Sequence, residues 1–312
     1  MKKGSKYCGV IVPMVTPIKV DGTVDRYAVK RIVELFKQNG AHPFVLGTTG
    51  EGPSVRQDQK DIVVAETVAA ADGKCTVYAG ISSNAFAESV EMATRYGDMG
   101  VDAVVATLPA FYPLNDNQML RYFEALADVS PCPLIIYNMP ATVKMSISLD
   151  VLDQLSHHPN IVGVKDSERD ISRLDKSLDL WRDRSDFVHL IGWAAQSSYA
   201  MQNGSAGIVP STGNFAPGFY AELLNSVEAG NFERGDELQD ITNQLGLLYQ
   251  KDRTLSQSIP ALKYIMSVMG FCGPNVLPPM YRMREEDEKA YRMFIEEELV
   301  KYELIGSYEQ QK

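Results

Sequence analysis

Ile161-Val162-Gly163-Val164-Lys165-Asp166-Ser167 reads as a short buried strand that ends in a cation. β-Branched residues and a glycine run straight into Lys165 with no polar residue between. Side chains alternate along a strand, so Ile161, Gly163 and Lys165 are expected on one face and Val162 and Val164 on the other. A segment apolar on both faces belongs in a parallel sheet covered on both sides. In a closed parallel barrel Lys165 would point inward at the C-terminal rim, where such enzymes keep their chemistry. A desolvated lysine there can lose its proton, attack a carbonyl and form a Schiff base. The competing reading of these residues is a strand-end lysine paired with Asp166 or with a helix C-terminus.

Working outward, residues 9–15 make the first strand, closed by Thr16-Pro17. Asp25 is placed to cap a helix whose apolar stripe is Ala28, Ile32, Leu35 and Phe36, and Asn39-Gly40 stops it. Phe44-Val45-Leu46 is the second strand, and Ser54-Val55-Arg56-Gln57 has the pattern of a capping box. Residues 76–79 and 103–107 are the third and fourth strands, on either side of a helical segment at 88–96. Leu134-Ile135-Ile136-Tyr137 is the fifth, the Lys165 segment the sixth, Val188-His189-Leu190-Ile191 the seventh and Gly207-Ile208-Val209 the eighth. A helical pattern lies between each pair.

That alternation predicts an α/β fold, a (β/α)8 TIM barrel, because one strand–helix unit cannot bury its own faces. A doubly wound sheet is the runner-up, but no Gly-x-Gly-x-x-Gly turn follows the first strand. After Phe215-Ala216-Pro217 the pattern stays helical. We therefore expect a catalytic barrel over residues 1–228 and a C-terminal helical extension over 229–312, packed on the barrel. Residues 284–300 are strongly charged, with Tyr291, Phe294 and Ile295 interspersed, and read as a solvated or oligomer-facing helix.

The 312 residues suffice for one large barrel or two ordinary domains, and 45% hydrophobic with 22% charged residues fits a globular chain. A net charge of -10 argues against nucleic acid or an anionic membrane as partner. No long apolar run suggests a membrane helix, and Met1-Lys2-Lys3-Gly4-Ser5 leads into a strand instead of a signal-peptide core. Cys8, Cys75, Cys132 and Cys272 stand far apart without a Cys-x-x-Cys pair, which fits reduced thiols in a cytoplasm. His157-His158 before Pro159 reads as a helix end. No metal motif is visible.

Gly47-Thr48-Thr49-Gly50-Glu51-Gly52 follows the second strand, and its N–H groups and two hydroxyls can hold a carboxylate in an anion-binding nest. The plainer reading is a tight turn with Glu51 near the positive end of the next helix. Tyr137 ends the fifth strand, with Ile135 on the same face. If that face is the interior, its phenol lies beside Lys165 and can shuttle protons during dehydration and C–C cleavage.

These stretches, together with Tyr137-Asn138-Met139-Pro140-Ala141 and Gly207-Ile208-Val209-Pro210-Ser211-Thr212-Gly213-Asn214, resemble the dihydrodipicolinate synthase/N-acetylneuraminate lyase family, from about residue 9 to residue 279. The resemblance implies a class I, pyruvate-dependent Schiff-base lyase on a (β/α)8 barrel with C-terminal helices, assembled as a homotetramer, a dimer of dimers. It makes Lys165 the Schiff-base residue, Tyr137 the acid/base and Thr48 its relay partner. Thr48 and Thr49 would hold the 2-oxo acid carboxylate, while Ser167, Gly192 and Val209 would line the substrate side. It implies no metal and no organic cofactor.

Three departures bear on the substrate. Dihydrodipicolinate synthases carry an arginine two residues after the proline of the Tyr-Asn-x-Pro motif; here that position is Thr142, which cannot make a bidentate ion pair. Lys144 is close by. N-acetylneuraminate lyases follow the seventh-strand glycine with acidic residues, where Gly192-Trp193 leads into Ala194 and Ala195. The relay tyrosine contributed by a neighbouring subunit aligns with Phe111, and Tyr112 substitutes only after a one-residue shift.

The runs around Lys165 and Ile259-Pro260-Ala261-Leu262-Lys263 look most like the 4-hydroxy-2-oxoglutarate and 2-keto-3-deoxy sugar acid aldolase branches. The expected reaction is reversible cleavage of a 4-hydroxy-2-oxo acid to pyruvate and an aldehyde. Its rivals are dehydration of a 2-oxo-3-deoxy sugar acid, the two activities that name the family, and non-catalytic binding of a 2-oxo acid.

Overall fold

In the computed structural model, which describes residues 5–306, eight parallel strands close into a barrel in sequence order. They are β1 (Gly9–Pro13), β2 (Ala41–Val45), β3 (Tyr78–Gly80), β4 (Ala103–Ala106), β5 (Leu134–Asn138), β6 (Ile161–Asp166), β7 (Val188–Ile191) and β8 (Gly207–Ile208). β8 returns to β1 through Gly9↔Gly207 and Val10↔Ile208. The crossovers are α1 (Arg26–Gln38), α2 (Gln57–Ala71), α3 (Phe86–Asp98) and α4 (Asp116–Val129), then the single-turn α5 (Pro140–Val143) with α6 (Leu149–Leu155), α7 (Ile171–Trp181) and α8 (Ser197–Gln202). α9 (Pro217–Glu228) follows β8, and α10 (Phe232–Gln250), α11 (Leu255–Val268) and α12 (Glu285–Lys301) come after it. Among the described residues no helix is long and apolar enough to cross a membrane.

Period-two alternation produces two apolar layers. Ile11, Phe44, Tyr78, Val105, Ile135 and Leu190 fill the barrel interior. Their strand neighbours Val10, Val12, Val45, Val104 and Ile136 face the helices. One expectation fails here. The β5–β6 register shifts between Leu134 and Ile135, so Leu134 pairs with Ile161 while Ile135 pairs with Gly163. The extra residue on β6 is a bulge, which breaks the alternation. Ile161 consequently joins Val164 in the outer layer, and Val162 packs on the interior cluster.

Local signals hold elsewhere, with two corrections. Asp25 caps α1, accepting from the Tyr27 and Ala28 N–H groups at 3.1 Å each. Ser54 does not form a capping box. It ends a 3-10 turn at Gly52–Ser54, and Arg56 takes the N-cap of α2 without a side-chain bond. Leu46 leaves the strand at φ 59°, which turns the chain into the loop at 47–52. The second correction concerns α12. Tyr291 and Ile295 are buried while Phe294 is exposed. The Tyr291 hydroxyl donates to the Leu248 carbonyl at 2.7 Å, and its ring lies 5.8 Å from that of Tyr264. A 3.6-residue stripe was hidden among the charges.

Candidate active site

β6 carries Lys165 to the C-terminal rim, paired with Tyr137 of β5 on one side and Leu190 of β7 on the other. Lys165 is 5% exposed. Its Nζ lies 3.9 Å from the centroid of the Tyr137 ring and 4.8 Å from that of Phe44. Burial holds its amine below the ordinary lysine range, and the Tyr137 phenol opposes that only in part. Burial alone would raise the Tyr137 phenol; the Lys165 charge and hydrogen bonds from Thr48 and Ser167 bring it below its ordinary value. The Thr48 hydroxyl stands 3.5 Å from the Tyr137 hydroxyl. An amine whose charged form is disfavoured by burial can add to a carbonyl, and a phenol beside it can then supply the proton that expels water.

Asp166 does not pair with Lys165. Alternation turns it to the other side of β6, where it accepts from Arg173 Nε at 2.8 Å, from Asn138 Nδ2 at 2.9 Å and from the Glu168 N–H at 2.9 Å. Asn138 also donates to Glu168 at 3.0 Å and accepts from the Ile147 N–H at 3.1 Å. This network ties the ends of β5 and β6 together one residue beyond Tyr137 and Lys165. Ser167 follows, its N–H donating to the Asn138 carbonyl at 3.0 Å. Gly192 is required beside it: a Cβ there would lie 2.0 Å from Ser167 Oγ. Val209 is buried among the interior residues around Lys165.

A cavity of about 530 Å³ opens above Tyr137. Thr48, Ser82, Asn84, Thr107, Tyr137 and Thr142 supply its polar wall near the barrel, and Leu255, Ser256 and Ile259 of α11 close its far side. Lys165 sits deeper, on a water-sized space of about 10 Å³ that shares Phe44 and Val105 with the larger one. Thr49 is buried and lies outside this lining.

Thr142 faces the cavity from α5 and bonds the Met139 carbonyl at 3.3 Å. Lys144 turns back, its Nζ on the Ala141 carbonyl at 2.8 Å. Phe111 and Tyr112 are 73% and 71% exposed, stacked edge to face at 4.9 Å, and neither lines the cavity of its own chain. Sequence reading missed the Asn138–Asp166–Arg173 network, although its first two members stand inside quoted motifs. It also missed the partner of Glu51, which is Lys263 of α11. No local signal joins residues 212 positions apart.

A sequence profile described as the dihydrodipicolinate synthetase family matches residues 6–298. The 4-hydroxy-tetrahydrodipicolinate synthase of Acidiphilium cryptum is 33% identical over 265 residues, covering 84% of this chain and 88% of that protein. Its counterpart in Jannaschia sp. is 30% identical over 283 residues, or 90% and 95% of the two chains. The solved dihydrodipicolinate synthase of Bacteroides thetaiotaomicron matches with a TM-score of 0.88 at 28% identity, over 94% of this chain and 98% of that one. These similarities lend no support to the 4-hydroxy-2-oxoglutarate aldolase branch expected from the sequence.

Proposed function

The chain belongs to the dihydrodipicolinate synthetase family, and on that premise we propose that it is a Schiff-base lyase that reversibly cleaves a 4-hydroxy-2-oxo acid to pyruvate and an uncharged aldehyde. The observation that carries the reading is the Lys165 amine, buried against the Tyr137 and Phe44 rings with its neighbouring carboxylate engaged elsewhere. The Lys165 Nζ adds to C2 of the keto acid, and Tyr137 delivers the proton that expels water and leaves the imine. Thr48 orients the phenol, and Thr48 and Thr49 receive the substrate carboxylate through their hydroxyl and N–H groups, the Glu51 and Gly52 N–H groups being spent on the Thr48 and Gly47 carbonyls of the loop itself. Tyr137 then removes the proton of the 4-hydroxyl as the C3–C4 bond breaks, and the protonated imine accepts the electron pair as an enamine. Protonation at C3 and hydrolysis release pyruvate and restore the amine.

The uncharged aldehyde follows from Thr142 and from Lys144, whose ammonium is held by its own helix. The Lys60 cation of the same lining has the Glu88 carboxylate beside it, and with that charge balanced the hydroxyl and amide groups at Ser82, Asn84, Thr107 and Thr142 suit a hydroxylated chain better than a second carboxylate. The names of the relatives favour a second reading, 4-hydroxy-tetrahydrodipicolinate synthesis. Product analysis separates the readings. Pyruvate plus aldehyde supports the lyase, a deoxy-dioxo acid supports dehydration, and 4-hydroxy-tetrahydrodipicolinate supports the synthase.

Borohydride reduction in the presence of pyruvate should fix a pyruvyl group on Lys165, read by peptide mass; an unmodified Lys165 would leave only 2-oxo acid binding. Thr142→Arg should raise kcat/KM for carboxylate-bearing aldehydes by about tenfold relative to neutral ones, the worth of one charge-assisted contact. The proposal includes a homotetramer in which the exposed Phe111–Tyr112 pair meets a neighbouring subunit, to be checked by sedimentation.

A further inference from the structure

The loop at 47–52 is fastened from outside the barrel by an ion pair between two side chains that are both 0% exposed, Glu51 and Lys263. Glu51 stands in the left-handed region at φ 57°, and its N–H donates to the Thr48 carbonyl at 3.2 Å. Both of its carboxylate oxygens are used. One meets Lys263, and the other accepts from the Leu277 N–H at 2.7 Å. Lys263 also donates to the Asn275 carbonyl at 2.7 Å. On the barrel side, the Thr16 hydroxyl bonds the Gly50 carbonyl at 2.6 Å. The segment carrying Thr48 is therefore held between the loop that follows β1 and α11. α11 is also the helix whose Leu255, Ser256 and Ile259 face the cavity.

A buried charge pair is an inefficient way to gain stability, since apolar residues of the same volume generally serve as well. Its particular property is direction: a carboxylate with both oxygens committed cannot rotate, and neither can the turn that bears it. We infer that Lys263, acting through Glu51, is a positioning residue for the 2-oxo acid carboxylate, fixing Thr48 and the loop N–H groups against Tyr137. The C-terminal helices thereby set the binding half of the site, while Lys165 and Tyr137, borne by β6 and β5, are set by the barrel. This inference rests on the Schiff-base reading above.

The two are tested together by borohydride trapping of pyruvate on the full chain, as a function of pyruvate concentration, in the wild type and in the double variant Glu51→Gln/Lys263→Met. The double variant removes both charges and keeps the acceptor for Leu277, so its melting temperature should return close to that of the wild type. The expected result is a half-saturating pyruvate concentration raised about tenfold, with the trapping rate at saturation within about threefold of the wild type. An unchanged half-saturation in folded double variant overturns the positioning role and leaves the pair a packing feature. Absence of a Lys165 adduct in the wild type itself overturns the Schiff-base reading instead. Should the double variant not fold, the uncharged, hydrogen-bonding pair Glu51→Gln/Lys263→Gln is read the same way, and an unchanged half-saturation again overturns the inference.

Discussion

Among the described residues two lysines lie buried, and their surroundings could hardly differ more. Lys263 of α11 meets a carboxylate and a carbonyl and is sealed from solvent. Lys165 of β6 meets the faces of two aromatic rings, while the carboxylate beside it in sequence is engaged by Arg173 and Asn138. Burial is common to both; the counter-ion is not. A desolvated amine with a compensating carboxylate is a strut, whereas one without is destabilised as a cation and becomes a nucleophile. On the proposed chemistry, the comparison teaches that reactivity is made by withholding a carboxylate, and that Asp166 achieves this by pointing away.

The sharpest break of that comparison is in turnover. Lys165→Met should reduce pyruvate trapping and C–C cleavage to the uncatalysed background, because the amine that forms the imine beside Tyr137 is gone. Tyr137→Phe should follow, lowering kcat by about 10²–10⁴ through loss of the proton carrier, with Lys165 still trappable at a reduced rate. A Tyr137→Phe enzyme with full kcat would remove the phenol from the proposed chemistry.

Stability should respond in the opposite order. Lys263→Met strands Glu51 as a buried charge and should cost about 3–5 kcal/mol in denaturant unfolding. The same exchange at Lys165 removes an amine that the fold does not compensate, and its unfolding free energy should equal or exceed that of the wild type. Equal losses at the two positions would erase the distinction between strut and nucleophile.

The smallest effect is a pH slope. The Lys165 amine lies below its ordinary 10.5 in the folded chain. Between its folded value and 10.5 the unfolded chain therefore binds more protons, and stability rises with pH by at most about 1.4 kcal/mol per unit per proton. The Tyr137 phenol, also below its ordinary 10.0, acts with the same sign. Below the folded Lys165 value this gain is absent, and the trapping rate falls as the amine protonates. Lys165→Met should flatten the alkaline limb of stability against pH.

Much of the barrel was legible because its signals are local. Alternation, apolar runs and turn residues place each strand within a few residues, and Asp25 caps α1 as its position suggests. The failures have local causes too. A bulge in β6 moved Ile161 to the outer layer, a 3-10 turn absorbed Ser54, and charge density concealed the buried stripe of α12. At the candidate site, Lys165, Tyr137 and the loop of Thr48 were visible as strand ends and a glycine-rich turn. Phe111 and Tyr112 were placed by alignment alone, and both lie outside the cavity of their own chain.

By itself the sequence determined the elements, their order and the residue types at each strand end, since propensity and period act over a few neighbouring positions. Only the tertiary structure decided which buried lysine has a carboxylate. That depends on a helix more than two hundred residues from the loop it holds, and on which face of β6 Asp166 occupies. Charge compensation in a desolvated interior is a matter of distances of a few ångströms, and closure of the barrel together with the docking of α11 sets those distances.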